Sequence, residues 1–539
     1  LFYEKLANRL MDSFSVNGCV IALRSPHDYL NFVVRAGIHG LKEERIRVSD
    51  LPRSMLRKAL EGGKPMVVNG LSARSHLWGK LLGKGMSSLV ILPLQIERRN
   101  LGFVALQAAG EFQPNPEELK ILESFANQLT IALASARKIN FEIDYQGVSK
   151  DYVEEALFSI HQSGESSASP DVLLPQAFDL LGELFYNAES LLIKKPLKGL
   201  SGSVVLLVKP TMKQGGVGQT RIVKIGRHDK IHKESTQYTE FVLPYLRHHH
   251  AAQLSVHYTR NLGALLYTLV DSSADDPLTL ETFYHERSPK EIVKALKNLF
   301  SSTCDLWYTN TRKKIQMEDI RDLYFKSLNL ESQERLEWEA SQTHPGFESQ
   351  AESISFGSAI GDLPNPFRWL QSDNVFMQVS RCITHGDLNA GNIIIGEEKQ
   401  FWLIDFYRTE ESHILRDFVI LETDIKFRLA PMLSVEEFVA IETTLLEQSR
   451  ISPDDARFSA HGKKLLAVVG WLRKEGQSLL HRSGGKMREA QREYLASLLI
   501  VTLNVLRLRH FKEDEQLKQR RSMILLSASL ICKRLNELR

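Results

Sequence analysis

A histidine, two aspartates and an asparagine fall within one short stretch of this chain, in Ile383-Thr-His-Gly-Asp-Leu-Asn-Ala-Gly-Asn-Ile-Ile-Ile395 and Phe401-Trp-Leu-Ile-Asp-Phe406. Asp387 and Asn392 stand in a polar, turn-rich loop that runs into an apolar strand, and Asp405 closes a second apolar strand. Two short strands joined as a hairpin can bring three such groups within a few ångströms of one another at their mouth. That arrangement suits phosphoryl transfer. One carboxylate accepts or orients an acceptor hydroxyl, while an amide and a second carboxylate hold the Mg2+ that neutralises a triphosphate.

Such chemistry needs a nucleotide-holding element, and the β-rich stretch before residue 270 offers candidates. Lys198-Gly-Leu-Ser-Gly-Ser-Val-Val-Leu-Leu-Val208 reads as strand, small-residue turn and strand, whose Gly199, Ser201, Gly202 and Ser203 let backbone amides approach phosphates. Thr220-Arg-Ile-Val-Lys-Ile225 reads as a strand that sets Lys224 among apolar neighbours, where a lysine needs an anionic partner. The intervening Pro210 to Thr220 is longer than a tight hairpin requires and reads as a mobile flap. Its Gly-Gly-x-Gly is no phosphate loop, because no Gly-Lys-Ser/Thr follows.

The sequence His-Gly-Asp-x-x-x-x-Asn followed by Ile-Asp-Phe closely resembles the catalytic and metal-binding motifs of the aminoglycoside phosphotransferase and choline kinase group. The resemblance implies a bilobed, protein-kinase-like fold that uses ATP and Mg2+. In it Asp387 is the catalytic base, Asn392 a magnesium ligand, and Asp405 the carboxylate between metal and phosphates. His385 supports the loop by hydrogen bonding. Lys224 resembles the phosphate-holding lysine of the third kinase strand, paired with a glutamate on the next helix, for which Glu240 is the choice and Glu234 the rival. Ala264 to Val270 has the look of the interlobe hinge, with backbone at Thr268 and Val270 facing an adenine. Arg416-Asp417 resembles the place where related enzymes brace the metal loop, a structural role. Tyr407 stands where protein kinases carry the glycine of Asp-Phe-Gly, as is usual in the small-molecule branch.

Farther from this site, residues 1–140 alternate β-rich runs with flanking helices. Gly18 to Leu23, Tyr29 to Val34, Ser88 to Leu94 and Gly102 to Gln107 read as strands, and Pro116 to Lys138 carries apolar residues at helical spacing. In strand order, and in Val90-Ile-Leu-Pro-Leu94, Gly102-Phe-Val-Ala-Leu106 and Phe125-Ala-Asn-Gln-Leu-Thr-Ile-Ala132, this stretch resembles GAF sensor domains. The resemblance implies either a small-molecule ligand or a dimerising, docking role that makes a homodimer. No cysteine stands in a chromophore-attachment context.

The fold class expected is α+β multidomain: a GAF-like domain over 1–140, a helical linker with a polar loop over 141–189, a kinase-like N-lobe over 190–270, and a helical C-lobe over 271–539 that holds the catalytic loop 383–406. A chain of 539 residues exceeds what one core supports. Its net charge of +3 gives no field that would draw it onto nucleic acid, and basic and aromatic residues are not interleaved. Four scattered cysteines, Cys19, Cys304, Cys382 and Cys532, fit a reducing cytoplasm and no zinc site. The longest apolar run, Leu495 to Leu506, reads as a buried helix and not a membrane span. His248-His-His250 reads as a solvated run, since consecutive residues diverge. The function expected is transfer of the ATP γ-phosphate to a hydroxyl of a small molecule or partner protein, regulated by the GAF-like domain. The alternative is a nucleotide-gated scaffold without turnover.

Overall fold

The computed structural model describes residues 2–24, 29–39, 45–47, 59–60, 62–71, 82–96, 99–136, 143–146, 153, 157, 170–193, 203–213, 215–246, 250–269, 278–310, 316–330, 332–396, 401–448, 455–481, 487–508, 511, 517 and 520–538. Gly199, Ser201, Gly202 and Val270, and with them most of the expected glycine turn and the end of the expected hinge, lie outside the described residues. The chain forms two compact units, residues 1–232 with 253–269, and residues 233–252 with 270–539.

The first unit contains two six-stranded sheets. One is built from β1 (Gly18–Arg24), β2 (Tyr29–Ala36), β3 (Arg45–Arg47), β4 (Met66–Val68), β5 (Ser88–Ile96) and β6 (Arg99–Ala108), in the antiparallel order β3-β2-β1-β6-β5-β4. Its central strands are apolar at nearly every position because both faces are covered. Cys19, Ile21, Val104 and Leu106 pack with Leu10, Leu122, Ala126 and Leu129 of helices Phe2–Phe14 and Pro116–Ala136. Val20, Ala22, Phe103 and Ala105 face the other way, onto Ala59, Leu60 and Leu82. Gly102 has φ +142, and a Cβ there would lie 2.1 Å from the Ala22 carbonyl oxygen, so only glycine fits this crossing.

The second sheet has β7 (Asp144–Gln146), β8 (Ala188–Ile193), β9 (Val204–Met212), β10 (Arg221–Arg227), β11 (Gln253–Tyr258) and β12 (Leu262–Thr268), in the order β11-β12-β10-β9-β8-β7. Only β7 and β8 run parallel. Helix Pro170–Leu184 lays Leu173, Ala177, Phe178 and Leu181 on Leu206, Val223, Ile225 and Ala264 of this sheet. Within 141–189, read from sequence as a linker, the described residues thus supply a strand and a core helix, and the polar loop at 162–169 lies outside the described residues. Gln176 fastens the helix to the β11–β12 turn, accepting from the Asn261 N–H at 2.9 Å and from the Thr259 hydroxyl at 2.8 Å. The described residues of the long β9–β10 connection fold back on β9, with Gly218 N–H donating to the Pro210 carbonyl at 2.8 Å and Met212 N–H to the Gly216 carbonyl at 3.0 Å.

The second unit is mainly helical, with long helices Ala460–His481, Met487–Val505 and Arg521–Glu537. Every side chain from Tyr494 to Val505 is buried, as the apolar run foretold, and no described helix is long and apolar enough to cross a membrane. Residues 233–252, read from sequence as part of the β-rich lobe, pack instead within this unit. The Tyr238 hydroxyl bonds His250 Nε2 at 2.9 Å, and Ala251 N–H donates to the Leu403 carbonyl at 3.2 Å. His250 is thus a buried, bonded histidine and not the solvated surface residue expected of it.

Candidate functional site

Strand Arg381–Thr384 pairs with Glu410–His413, and strand Ile393–Ile395 pairs with Phe401–Leu403 on one side and Leu278–Thr279 on the other. The loop between these ladders carries His385, Asp387 and Asn392, and Asp405 follows the second hairpin strand. Thus the apolar triplets at 393–395 and 401–403 fix the register, and the polar groups gather at their ends.

Asn392 Nδ2 donates to the backbone carbonyl of Asp387 at 2.8 Å. Ile404 N–H donates to the Asn392 carbonyl at 3.1 Å, which sets Asp405, the next residue, beside Asn392. Asp387, Asn392 and Asp405 are therefore brought together, and each keeps partial exposure. Burial pushes the Asp387 pKa above the ordinary carboxylate value; Arg408 pulls it down, and Asp405 raises it further. Asp405 adopts φ +65, a left-handed conformation that costs energy in a residue other than glycine and concentrates at functional sites.

His385 is fully buried, with Nε2 bonded to the Ile404 carbonyl at 3.0 Å and its own carbonyl accepting from the Thr409 hydroxyl at 3.2 Å. It ties the loop to the Asp405 strand and does not reach the exposed edge. Gly386 has φ +80, and a Cβ there would lie 2.0 Å from the Arg408 carbonyl oxygen. Asp417, buried on helix Arg416–Asp424, accepts from His385 N–H at 2.8 Å, Gly386 N–H at 2.9 Å and the Tyr308 hydroxyl at 2.9 Å. Burial, and then the Asp417 charge, push the Tyr308 pKa up, so this phenol stays a donor.

The donor set fits Mg2+. With Nδ2 committed to a carbonyl, Asn392 keeps Oδ1, a hard acceptor, for another partner, and Asp405 adds carboxylate oxygen. Among the described residues no group of three or more His, Cys, Asp or Glu side chains could hold a metal. The ion would therefore complete its shell with water or phosphate oxygens, as Mg2+ does in nucleotide sites.

In the first unit, Lys224 lies on β10 between Val205 of β9 and Leu265 of β12, and is 4% exposed. Ser203, just before β9, is buried, and Thr268 ends β12 half-buried. Glu240, the choice for the lysine's partner, and Glu234, its rival, differ in burial. Glu240 falls in the π-helical turn Tyr238–Val242 and is exposed, whereas Glu234, on helix His228–Gln237, is 1% exposed. A glutamate can offset a buried ammonium only when it is itself withdrawn from water, and of these two only Glu234 is.

Sequence reasoning missed Arg408, whose charge acts on Asp387, and Asp424, which accepts the Ala390 N–H at 2.8 Å. The signal for Asp424 was present: it follows Asp417 by two helical turns and so shares its face. Cys19, inside the first sheet, has its thiol pushed up to about 12 by burial.

Two family models match the chain. The model described as ternary complex associated domain 9 matches residues 189–335 and 349–507, more than half of the sequence, and the chain belongs to that family. The GAF domain model matches residues 2–134, and the N-terminal fold is GAF-like within a mixed α and β multidomain chain. Similar solved structures include the second GAF domain of DevS from Mycobacterium smegmatis, 22% identical over 25% of this chain and 93% of that one, with TM-score 0.21. Type II free methionine-R-sulfoxide reductase from Thermoplasma acidophilum is 14% identical over 25% of this chain and 91% of that one, with TM-score 0.21. The GAF domain of a phosphoenolpyruvate-protein phosphotransferase from Coxiella burnetii is 14% identical over 25% and 80%, with TM-score 0.22. No curated protein matches the chain in sequence.

Proposed function

We propose that the chain is an ATP-dependent phosphotransferase of kinase-like fold, acting on a hydroxyl of a small molecule or partner protein and regulated through its GAF-like domain. The observation that carries this reading is the meeting of Asp387, Asn392 and Asp405 at one partly exposed edge. Asp387 orients the acceptor hydroxyl and takes its proton. Asn392 and Asp405 hold Mg2+, which offsets charge on the triphosphate when bound. His385, Gly386 and Asp417 keep the loop in place. Further support comes from Lys224, on a strand followed directly by helix His228–Gln237 with its buried Glu234, the order that resembles a nucleotide lobe. The GAF-like domain binds a small ligand or joins two copies. Incubation of the full chain with γ-labelled ATP, Mg2+ and metabolite or protein pools should give transfer that Asp387→Ala abolishes; transfer unchanged in that variant refutes the assignment.

A second reading, a nucleotide-binding scaffold without turnover, is favoured by the family's description, which speaks of association in a ternary complex and names no reaction. Stabilisation by ATP and Mg2+ with no transfer to any acceptor would select it. A ligand at 100 times its dissociation constant adds about 2.7 kcal/mol to stability.

A further inference from the structure

Helix Arg416–Asp424 carries two carboxylates on one face, and each holds a different half of the loop. Asp417 takes the N–H groups of His385 and Gly386, beside Asp387. Asp424 takes the N–H of Ala390, the first residue of the 3-10 turn Ala390–Asn392, at 2.8 Å. The other described bonds of that turn go to the loop and the neighbouring strand end: Gly391 N–H to Asn389 Oδ1 at 3.0 Å, Asn392 N–H to the Asn389 carbonyl at 3.1 Å, Asn392 Nδ2 to the Asp387 carbonyl at 2.8 Å, and Ile404 N–H to the Asn392 carbonyl at 3.1 Å. Among the described hydrogen bonds of this turn, the one to Asp424 is the one that reaches a helix.

Asp424 is itself fixed. Arg428 donates to it twice, Nε to Oδ1 at 2.5 Å and an Nη2 N–H to Oδ2 at 2.8 Å, and also pairs with Glu281. Glu281 opens helix Leu280–Glu286, directly after the strand Leu278–Thr279 that pairs with Ile394 and Ile395 on the far side of the turn. Burial of Arg428 opposes its charge, but Asp424 and Glu281 outweigh that and keep the guanidinium firmly protonated. Glu281, Arg428 and Asp424 thus form one ionic chain that ends on the turn bearing Asn392.

We propose that Asp424, locked by Arg428 and Glu281, is the positioning residue for the metal-holding half of the loop, setting Asn392 for Mg2+ while Asp417 serves the Asp387 half. This rests on the phosphotransferase reading. A residue that orients a metal ligand from behind commonly changes metal affinity by about 10–100-fold when lost.

The test uses the full chain, a non-hydrolysable ATP analogue and a Mg2+ titration followed by thermal shift. Asp424→Ala and Arg428→Gln should raise the Mg2+ concentration giving half the shift by about tenfold or more, while binding of the analogue without Mg2+ stays unchanged. Should those variants fail to fold, Glu281→Gln at the exposed end of the chain, with Arg428→Lys, decides: a raised Mg2+ requirement supports the proposal and an unchanged one overturns it. If the unaltered protein shows no Mg2+-dependent shift at all, the phosphotransferase reading falls. If it shows one that folded Asp424 variants reproduce at the same Mg2+ concentration, only the role of Asp424 falls.

Discussion

The side-chain amide of Asn392 is hydrogen-bonded to the main-chain carbonyl of Asp387 at 2.8 Å, so the candidate metal ligand and the candidate base are held by one bond. Anything that moves the turn at 390–392 moves the backbone under Asp387 as well. Asn392→Ala removes both the metal-facing oxygen and this tether, and should lower turnover and weaken Mg2+-dependent nucleotide binding together. Asn392→Asp, which cannot donate to the carbonyl, should restore metal binding in part and turnover hardly at all, a split that metal-dependent thermal shift and labelled-ATP transfer would reveal.

The fold disfavours the charged form of Asp387, chiefly through burial, so its pKa is raised above the unfolded value. Such a group lends stability at low pH, and that stability is lost as pH rises through the raised pKa. Asp387→Asn should therefore raise the melting temperature near neutrality, with the gain fading toward acid pH where the native side chain is already protonated. The same substitution should cut transfer by roughly 10²–10⁴-fold, the usual contribution of a general base. A melting temperature that falls at neutral pH would contradict the sign.

Asp417→Ala leaves two buried N–H groups and a buried hydroxyl without their acceptor. Each such loss costs about 1–3 kcal/mol, and chemical denaturation should show a drop of about 3 kcal/mol or more. Tyr308→Phe removes one donor and leaves the loop bonds, so a fall of about 1 kcal/mol is expected.

Gly386→Ala combines φ +80 with a Cβ placed 2.0 Å from a backbone oxygen, a contact that no side-chain rotation relieves. Loss of transfer should accompany a clear fall in stability. Gly70→Ala, with φ +68 but open space around the new methyl, isolates the conformational cost, expected at about 1 kcal/mol.

Deep in the second unit, Glu422 binds Arg473 at 2.6 Å and the Tyr494 hydroxyl at 2.8 Å, and Lys426 pairs with Glu442, all in the core. Arg473→Met strands carboxylate charge away from water and should cost about 3–5 kcal/mol. Restoring charge balance with Glu422→Gln in the same chain should recover part of that loss. Full additivity of the two changes, measured as a double-mutant cycle, would show that they do not interact.

Glu234 and Glu240 provide a surface-against-core comparison on one segment. Glu240→Ala should change stability by no more than about 0.5 kcal/mol, as exposed substitutions do. Glu234→Ala should destabilise measurably, because its 1% exposure withdraws the side chain from water, where any group bonded to it would lose its partner.

Much of this protein was written in the order of its residues. Alternating and continuous apolar runs gave β1, β2, β5 and β6 to within a few residues, because a strand covered on both faces must be apolar throughout. The placing of Asn392 just before one apolar triplet and Asp405 just after its partner brings those two ends together, since hairpin register leaves little freedom once its buried face is set. Tertiary structure alone decided the rest. Helix Pro170–Leu184 looked like part of a linker because its partner surface comes from strands that follow it in sequence. Glu234 is buried and Glu240 is exposed, with Glu240 in the π-helical turn Tyr238–Val242, a difference that local spacing does not report. Asp424 and Glu281 joined the site through Arg428 across 147 positions of chain, a link made by packing, which a linear pattern of residue types does not encode.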